Sequence, residues 1–184
     1  GGTRAGLPRH FGAVSTNLAA AAHCGLPAEN RCPLWDWVGG RFSVWSPIGL
    51  PIALRHGAEA FERLLAGGRA MDEHFRDAAP AANAPLLLAL AELWNTHFLD
   101  TESLAVLPYA SALAKLPDYL QQLEMESNGK GVRSDGHPVD HPTAPVLWGN
   151  VGTTGQHAYH QLLHQGTRAF SAEFVLPLVP AHDL

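Results

Sequence analysis

The sequence predicts an α/β fold: a layered, mostly parallel sheet flanked by helices. Three observations carry the prediction. Short apolar runs alternate with longer segments of helical spacing along the whole chain, the pattern of strands joined by crossover helices. Helix start and stop residues fall between them, as in "NLAAAAHCG", which opens at Asn17 and closes at Gly25. Finally, 184 residues with 46% hydrophobic and 16% charged side chains suffice for a real core.

Taken in order, "HFGAVST" is a short, mostly apolar run and reads as the first strand, followed by the "NLAAAAHCG" helix and a loop around "PAENRCP". "LWDWVGGRFSVWSPIGLPIAL" is aromatic and apolar with a glycine pair at its centre. "GAEAFERLLAGGRAMDEHFRD" repeats Ala60, Phe61, Leu64 and Leu65 at helical spacing. "APLLLALAELWNTHFL" is a second long helix, apolar on nearly all sides and therefore expected to be buried. "ESLAVLPYA" reads as a strand, "SALAKLPDYLQQLEME" as a helix despite Pro117, "APVLWG" as a strand, "GQHAYHQLLHQG" as a helix and "AEFVLPLVP" as the last strand. The chain opens in mid-pattern and stops at "PAHDL" directly after that strand, so a fragment with unclosed sheet edges and exposed apolar patches is expected.

Composition narrows the functional classes. Twelve Lys and Arg against 17 Asp and Glu give a net charge of -5 without a basic block, which argues against nucleic acid and against an anionic membrane surface. No apolar run spans a bilayer and the Gly-Gly-Thr-Arg start lacks signal-peptide order, so a soluble cytoplasmic protein is expected. Cys24 and Cys32, without a CxxC, suggest packing residues in a reducing compartment rather than a disulfide or thiolate site.

Three places could carry chemistry. "QQLEMESNGK" runs from a helix face into Glu124, Glu126, Ser127, Asn128 and Gly129. Glu126 there is either a solvated helix end in a polar turn or a carboxylate where loops meet the carboxyl edge of a sheet, the place where open α/β sheets bind ligands. Glu124 reads as the surface member of the pair. In "VGGRFS" two glycines, Gly39 and Gly40, would let the backbone approach a ligand while Arg41 offers paired donors to an oxyanion. An Arg41 bridge to Asp36 within the turn fits equally well. "GTTGQHAYHQLLHQG" puts His157, His160 and His164 on one predicted helix at spacings of three and four. A zinc site would want a carboxylate or cysteine partner or an HExxH, and neither accompanies them, so no metal is expected. His157, in the first turn after a Gly-rich loop, is better placed for proton transfer.

Read together, "DWVGGRFSVWSPIG", "MDEHF", "LPDYLQQLEMESNGK" and "GTTGQHAYHQLLHQGT" resemble the glucose-6-phosphate isomerase family, in order, over nearly the whole chain. The resemblance implies sugar-isomerase-type α/β domains: residues 1–50 as the end of a first domain, 51–100 as connecting helices and 101–184 as the first half of a second. It implies interconversion of glucose 6-phosphate and fructose 6-phosphate, in glycolysis and gluconeogenesis, with no metal or organic cofactor. Glu126 matches the family's base, Arg41 its oxyanion-stabilising cation, His157 its ring-opening histidine, and Gly40 and Gln122 pocket positions. The histidine reaches the site from the partner subunit of a homodimer. The family's phosphate-binding Ser/Thr-rich segment would lie upstream and a cooperating lysine beyond Leu184, so the isolated chain is expected to be inactive. This sequence departs from the family at Asn150 and Val151, where many members have Glu-Pro, and at Thr154, where Asn is usual in the loop that positions His157. A non-catalytic sugar-phosphate-binding module is the competing reading; joint retention of Arg41, Glu126 and His157 favours the enzyme. A truncated product with no function of its own is a third.

Overall fold

The computed structural model describes residues 6–179. The chain divides into two units, residues 1–78 and 79–184, each built around its own small parallel sheet.

In the first unit, α1 (Leu7–His10) precedes β1 (Ala13–Ser15), which pairs in parallel with β2 (Arg31–Pro33) through Val14 opposite Cys32. Between them runs α2 (Leu18–His23). Its cap is the expected one: Asn17 accepts from the Ala20 amide at 2.9 Å. It closes in a Schellman motif, with Leu26 N donating to Ala21 O and Gly25 N to Ala22 O around Gly25 at φ 92°. β2 corrects the loop expected at "PAENRCP". Three residues, one of them proline, carry no periodicity, and only the pairing with β1 makes them a strand. Cys24 caps α2 and is exposed, so it is not the packing residue expected, whereas Cys32 is half-buried.

The aromatic segment forms 3₁₀ turns at Gly40–Trp45 and Pro47–Gly49, then α3 (Leu50–His56), which Gly57 ends at φ 88° before α4 (Ala58–Asp77). Gly49 and Gly68 are small for packing reasons. A Cβ on Gly49 would lie 2.5 Å from the Phe61 ring, and one on Gly68 2.7 Å from Trp45.

The second unit begins with α5 (Ala84–Phe98), capped by Asn83, whose side chain accepts from Leu86 N at 3.2 Å. β3 (Ser103–Pro108) is central in a three-stranded parallel sheet of order β4-β3-β5, with β4 (Val146–Gly149) and β5 (Ser171–Val175) at its sides. Leu104 to Pro108 are all buried, as a strand covered on both faces requires. Leu104, Val106 and Leu147 form the core, against which Leu116, Leu120, Met125 and Val175 pack.

Two helices differ from expectation. α5 is not buried: Thr96 is its only buried residue, while Leu88, Trp94 and Phe98 are more than half exposed. Its apolar residues surround the axis, and the described part of its unit covers only a fraction of that circumference. The segment from Ser111 to Glu126 is three pieces: a 3₁₀ turn (Ser111–Leu113), α6 (Leu116–Gln121) and a π-helix (Gln122–Glu126). Pro117 lies in the first turn of α6, where its missing amide costs nothing, so the helix starts at the proline rather than surviving it.

Candidate active site

The Glu126 segment is built by its turn chemistry. Gln122–Glu126 is a π-helix, a wider turn that is rare and is found frequently at functional sites. Gln122 and Glu126 open and close it and are both exposed, while Leu123, Glu124 and Met125 between them are half-buried. The turn thus puts the two expected site residues on one outward face. Its end is closed twice. Gly129 N donates to Met125 O at 3.0 Å, an approach so close that a Cβ on Gly129 would lie 2.1 Å from that oxygen. Lys130 Nζ donates to the carbonyls of Glu126 at 2.7 Å and Ser127 at 2.9 Å, placing a cation on the negative end of the helix. Lysine directly after Asn-Gly is the local signal from which this cap could have been read.

Glu124 is the opposite of the surface residue expected. It is half-buried, accepts from Asn128 Nδ2 at 2.7 Å and faces Glu92 of α5. Burial, then the charge of Glu124 and a hydrogen bond to it, then the charge of Glu173 on β5 push the Glu92 carboxyl up to about 7. Burial raises Glu173 as well. Below neutrality Glu92 therefore carries a proton, and its hydrogen bond to Glu124 helps to hold it. Sequence reading missed this pair because Glu92 and Glu124 belong to separate helices with a strand between them.

Because the folded chain holds the Glu92 proton more tightly than the unfolded chain, whose value is the ordinary 4.5, the unfolded state binds fewer protons between those limits. Stability is thus full below pH 4.5 and falls as pH rises towards 7. Thermal melts of wild type and Glu92→Gln from pH 4 to 8 are expected to diverge across that window, the wild type losing melting temperature that the variant keeps; parallel curves would show that Glu92 does not hold its proton up towards neutrality.

The Glu126 turn does not lie at the carboxyl edge of the sheet. Met125 accepts from the Leu147 amide at 3.3 Å, which sets the turn beside the amino-terminal half of β4. The carboxyl edge is instead the place of the histidine segment. After β4, α7 (Gly152–Gln156) packs Gly152 against Tyr109 just beyond β3, where a Cβ would lie 2.3 Å from the ring. Gln156 Nε2 donates to the Tyr109 hydroxyl at 3.1 Å. His157 is exposed at the C-cap of α7, and its amide donates to Thr154 O at 3.2 Å. That bond uses the backbone of residue 154, so threonine in place of asparagine leaves it intact.

The three histidines do not share one helix. Residues 157–159 turn between α7 and α8 (His160–Gln165), since Ala158 N and Tyr159 N both return to Gly155 O. A Cβ on Gly155 would lie 2.4 Å from the Tyr159 hydroxyl, so the turn closes on a glycine with no room to spare. Tyr159 stands edge-on to Trp148, burial raises its phenol, and His160 starts the new helix. Among the described residues no group of three or more His, Cys, Asp and Glu is arranged to hold a metal ion.

In the first unit, Gly40 opens the 3₁₀ turn at φ 50° and half-buried Arg41 follows, its guanidinium 5.5 Å from the Phe42 ring centre. A Cβ on either Gly39 or Gly40 would meet nothing within 4 Å. Gly40 is therefore required for its backbone, and Gly39, extended at φ -165°, is not. Chemical denaturation is expected to show Gly40→Ala losing about 1 kcal/mol and Gly39→Ala almost nothing; equal losses would contradict the left-handed turn.

The family model of phosphoglucose isomerase matches residues 2–183. The chain belongs to the phosphoglucose isomerase family. It is 55% identical over 178 residues to a glucose-6-phosphate isomerase of Hahella chejuensis, covering 97% of this chain and 32% of that protein. It is 55% identical over 179 residues to one of Pseudomonas fluorescens, with the same coverage. The chain spans about a third of the length of these curated relatives. A crystal structure of a glucose-6-phosphate isomerase from Chlamydia trachomatis superposes with a TM-score of 0.74 at 36% identity, covering 85% of this chain and 34% of that one. A Thermus thermophilus structure described as a hypothetical protein gives a TM-score of 0.78 at 30% identity, covering 96% and 41%. The phosphoglucose isomerase resemblance stated from the motifs and the α/β class are thereby established. No helix among the described residues is long and apolar enough to cross a membrane.

Proposed function

We propose that this chain is the central part of a glucose-6-phosphate isomerase, and that Glu126 is the base that moves a proton between carbons 1 and 2 of the sugar. The observation that carries the reading is the turn that holds Glu126: an exposed carboxylate on a π-helix, its end capped by Lys130, its face shared with Gln122. Moving a carbonyl to its neighbouring carbon requires a base that takes a weakly acidic proton, keeps it, and returns it one carbon away. A carboxylate with two oxygens suits that relay.

Loss of the proton leaves a cis-enediolate. Arg41 is the cation beside the developing oxyanion, where a preorganised donor lowers a barrier by roughly 3 to 4 kcal/mol. Gly40 lets the backbone come close to the substrate, and Gln122 lines the same pocket. His157 opens the sugar ring, delivered from the partner subunit of a homodimer. The placement of the Glu126 turn beside the start of β4 and of His157 beyond its carboxyl end supports that exchange, since the two segments lie towards different ends of the strand. Neither metal nor organic cofactor takes part in these steps, and a cytoplasmic location, beside the rest of sugar-phosphate metabolism, fits this reading. Residues 1–50 are assigned to the end of one sugar-isomerase domain, 51–100 to connecting helices and 101–184 to the first half of another.

A coupled assay of fructose 6-phosphate conversion tests the reading. The full-length protein that contains this segment is expected to turn over, and the 184-residue chain alone is not. Binding of the sugar phosphate by the full-length protein without turnover would favour the non-catalytic module instead.

A further inference from the structure

The free edge of β4 holds a contact that the proposed chemistry does not use. Val146 N donates to Glu102 O at 2.9 Å, towards β3. In a parallel strand the polar groups of successive residues point to alternate sides, so those of Leu147 point away from β3, along the outer edge of the sheet. Both are taken up by side chains of a single segment. Leu147 N donates to Met125 Sδ at 3.3 Å, and Gln121 Nε2 donates to Leu147 O at 3.2 Å. Gln121 ends α6, Met125 lies within the π-helix, and Glu126 follows Met125 directly.

Leu147 is 3% exposed, so its amide and carbonyl have little access to water and need these partners. A leucine at position 125 would fill the same apolar space against Leu104 and Val106 but offer no acceptor; the thioether, though weak, does. A π-helix is an uncommon turn that persists where contacts outside the helix hold it. The same bonds also close the edge to another strand.

We propose that Gln121 and Met125 are positioning residues for Glu126, clamping the π-helix to the backbone of Leu147 so that the sheet sets where the carboxylate stands. The catalytic importance of this clamp rests on the reading of Glu126 as the base; the clamp itself does not.

Amide hydrogen exchange and ¹⁵N shifts of the 184-residue chain test it, using two variants that keep side-chain size. Met125→Leu removes the acceptor and Gln121→Glu the donor. With Met125→Leu the Leu147 amide is expected to exchange at least about tenfold faster, and with either variant the Glu126 and Ser127 amide signals are expected to move, while Val106 and Leu107 of β3 stay protected. Acidifying Gln121→Glu restores a donor, so its Glu126 signal is expected to return to that of wild type at the same pH. Wild-type exchange at Leu147 in Met125→Leu, or unmoved Glu126 and Ser127 signals, would overturn the clamp. So would protection lost evenly along β3, which marks a merely structural role. An error in the base assignment would show elsewhere, as undiminished turnover in a Glu126 variant with these signals unaffected.

Discussion

Glu126→Gln in the full-length protein is expected to lower interconversion of glucose 6-phosphate and fructose 6-phosphate by about 10² to 10⁴-fold, the range that a positioned base contributes. The substitution keeps the size and most hydrogen-bonding capacity of the side chain while removing its basicity. Because Glu126 is exposed and the substitution leaves in place the backbone carbonyl that Lys130 caps, folding should hardly change. A melting temperature like that of wild type would confirm this. The loss should fall on kcat with KM nearly preserved, since the amide still fills the pocket but cannot take the proton. Glu126→Asp sharpens the test. It restores a carboxylate but draws it back by about one bond, and a misplacement of roughly 1 Å can cost about 100-fold. If Glu126→Gln retains wild-type turnover, the base lies elsewhere and the π-helix needs another explanation.

The sequence disclosed what depends on near neighbours. Asn17 and Gly25 bounded α2 as a cap and a left-handed stop must, and the alternation of strand and helix predicted the parallel sheet. The candidate site residues were likewise nominated by local words, Gly-Gly-Arg and Met-Glu-Ser-Asn-Gly-Lys. What could not be read depended on contacts distant in the chain. β2 is a strand only because β1 lies beside it. The histidine helix breaks at a turn closed on Gly155, where Tyr159 packs edge to face with Trp148, a contact that no periodicity records. The burial of Glu124 reflects Glu92 and Asn128, and the π-helix reflects bonds to Leu147, so the local pattern of an ordinary helix end misassigned which carboxylate faces water. The reversal is a matter of one extra residue per turn. It rotates Met125 inward and leaves Glu126 outside.

Gly149→Ala is expected to be the most destabilising single change in the second unit. Gly149 ends β4 opposite Val106, and a Cβ there would stand 1.9 Å from the Val106 carbonyl oxygen, 2.8 Å from its carbon and 3.0 Å from its nitrogen. All three atoms are backbone of the central strand, and Val106 is 1% exposed, so no flexible side chain can move aside. Gly149 also stands at φ 155°, which a side chain strains. Overpacking of about 1–3 kcal/mol and backbone strain of about 1–3 kcal/mol act together, and a loss of about 3 kcal/mol should lower the melting temperature by roughly 10 °C. Gly131→Ala is the control, because a Cβ there meets nothing within 4 Å. The change reaches the site as well. Separating β4 from β3 moves Leu147, on which Met125 and Gln121 rest, and the loop that leads through Asn150 and Val151 to His157. In Gly149→Ala the Glu126 and His157 signals should therefore shift together, although the two residues lie at different ends of the strand. A melting temperature within about 2 °C of wild type would mean that β4 does not end against Val106.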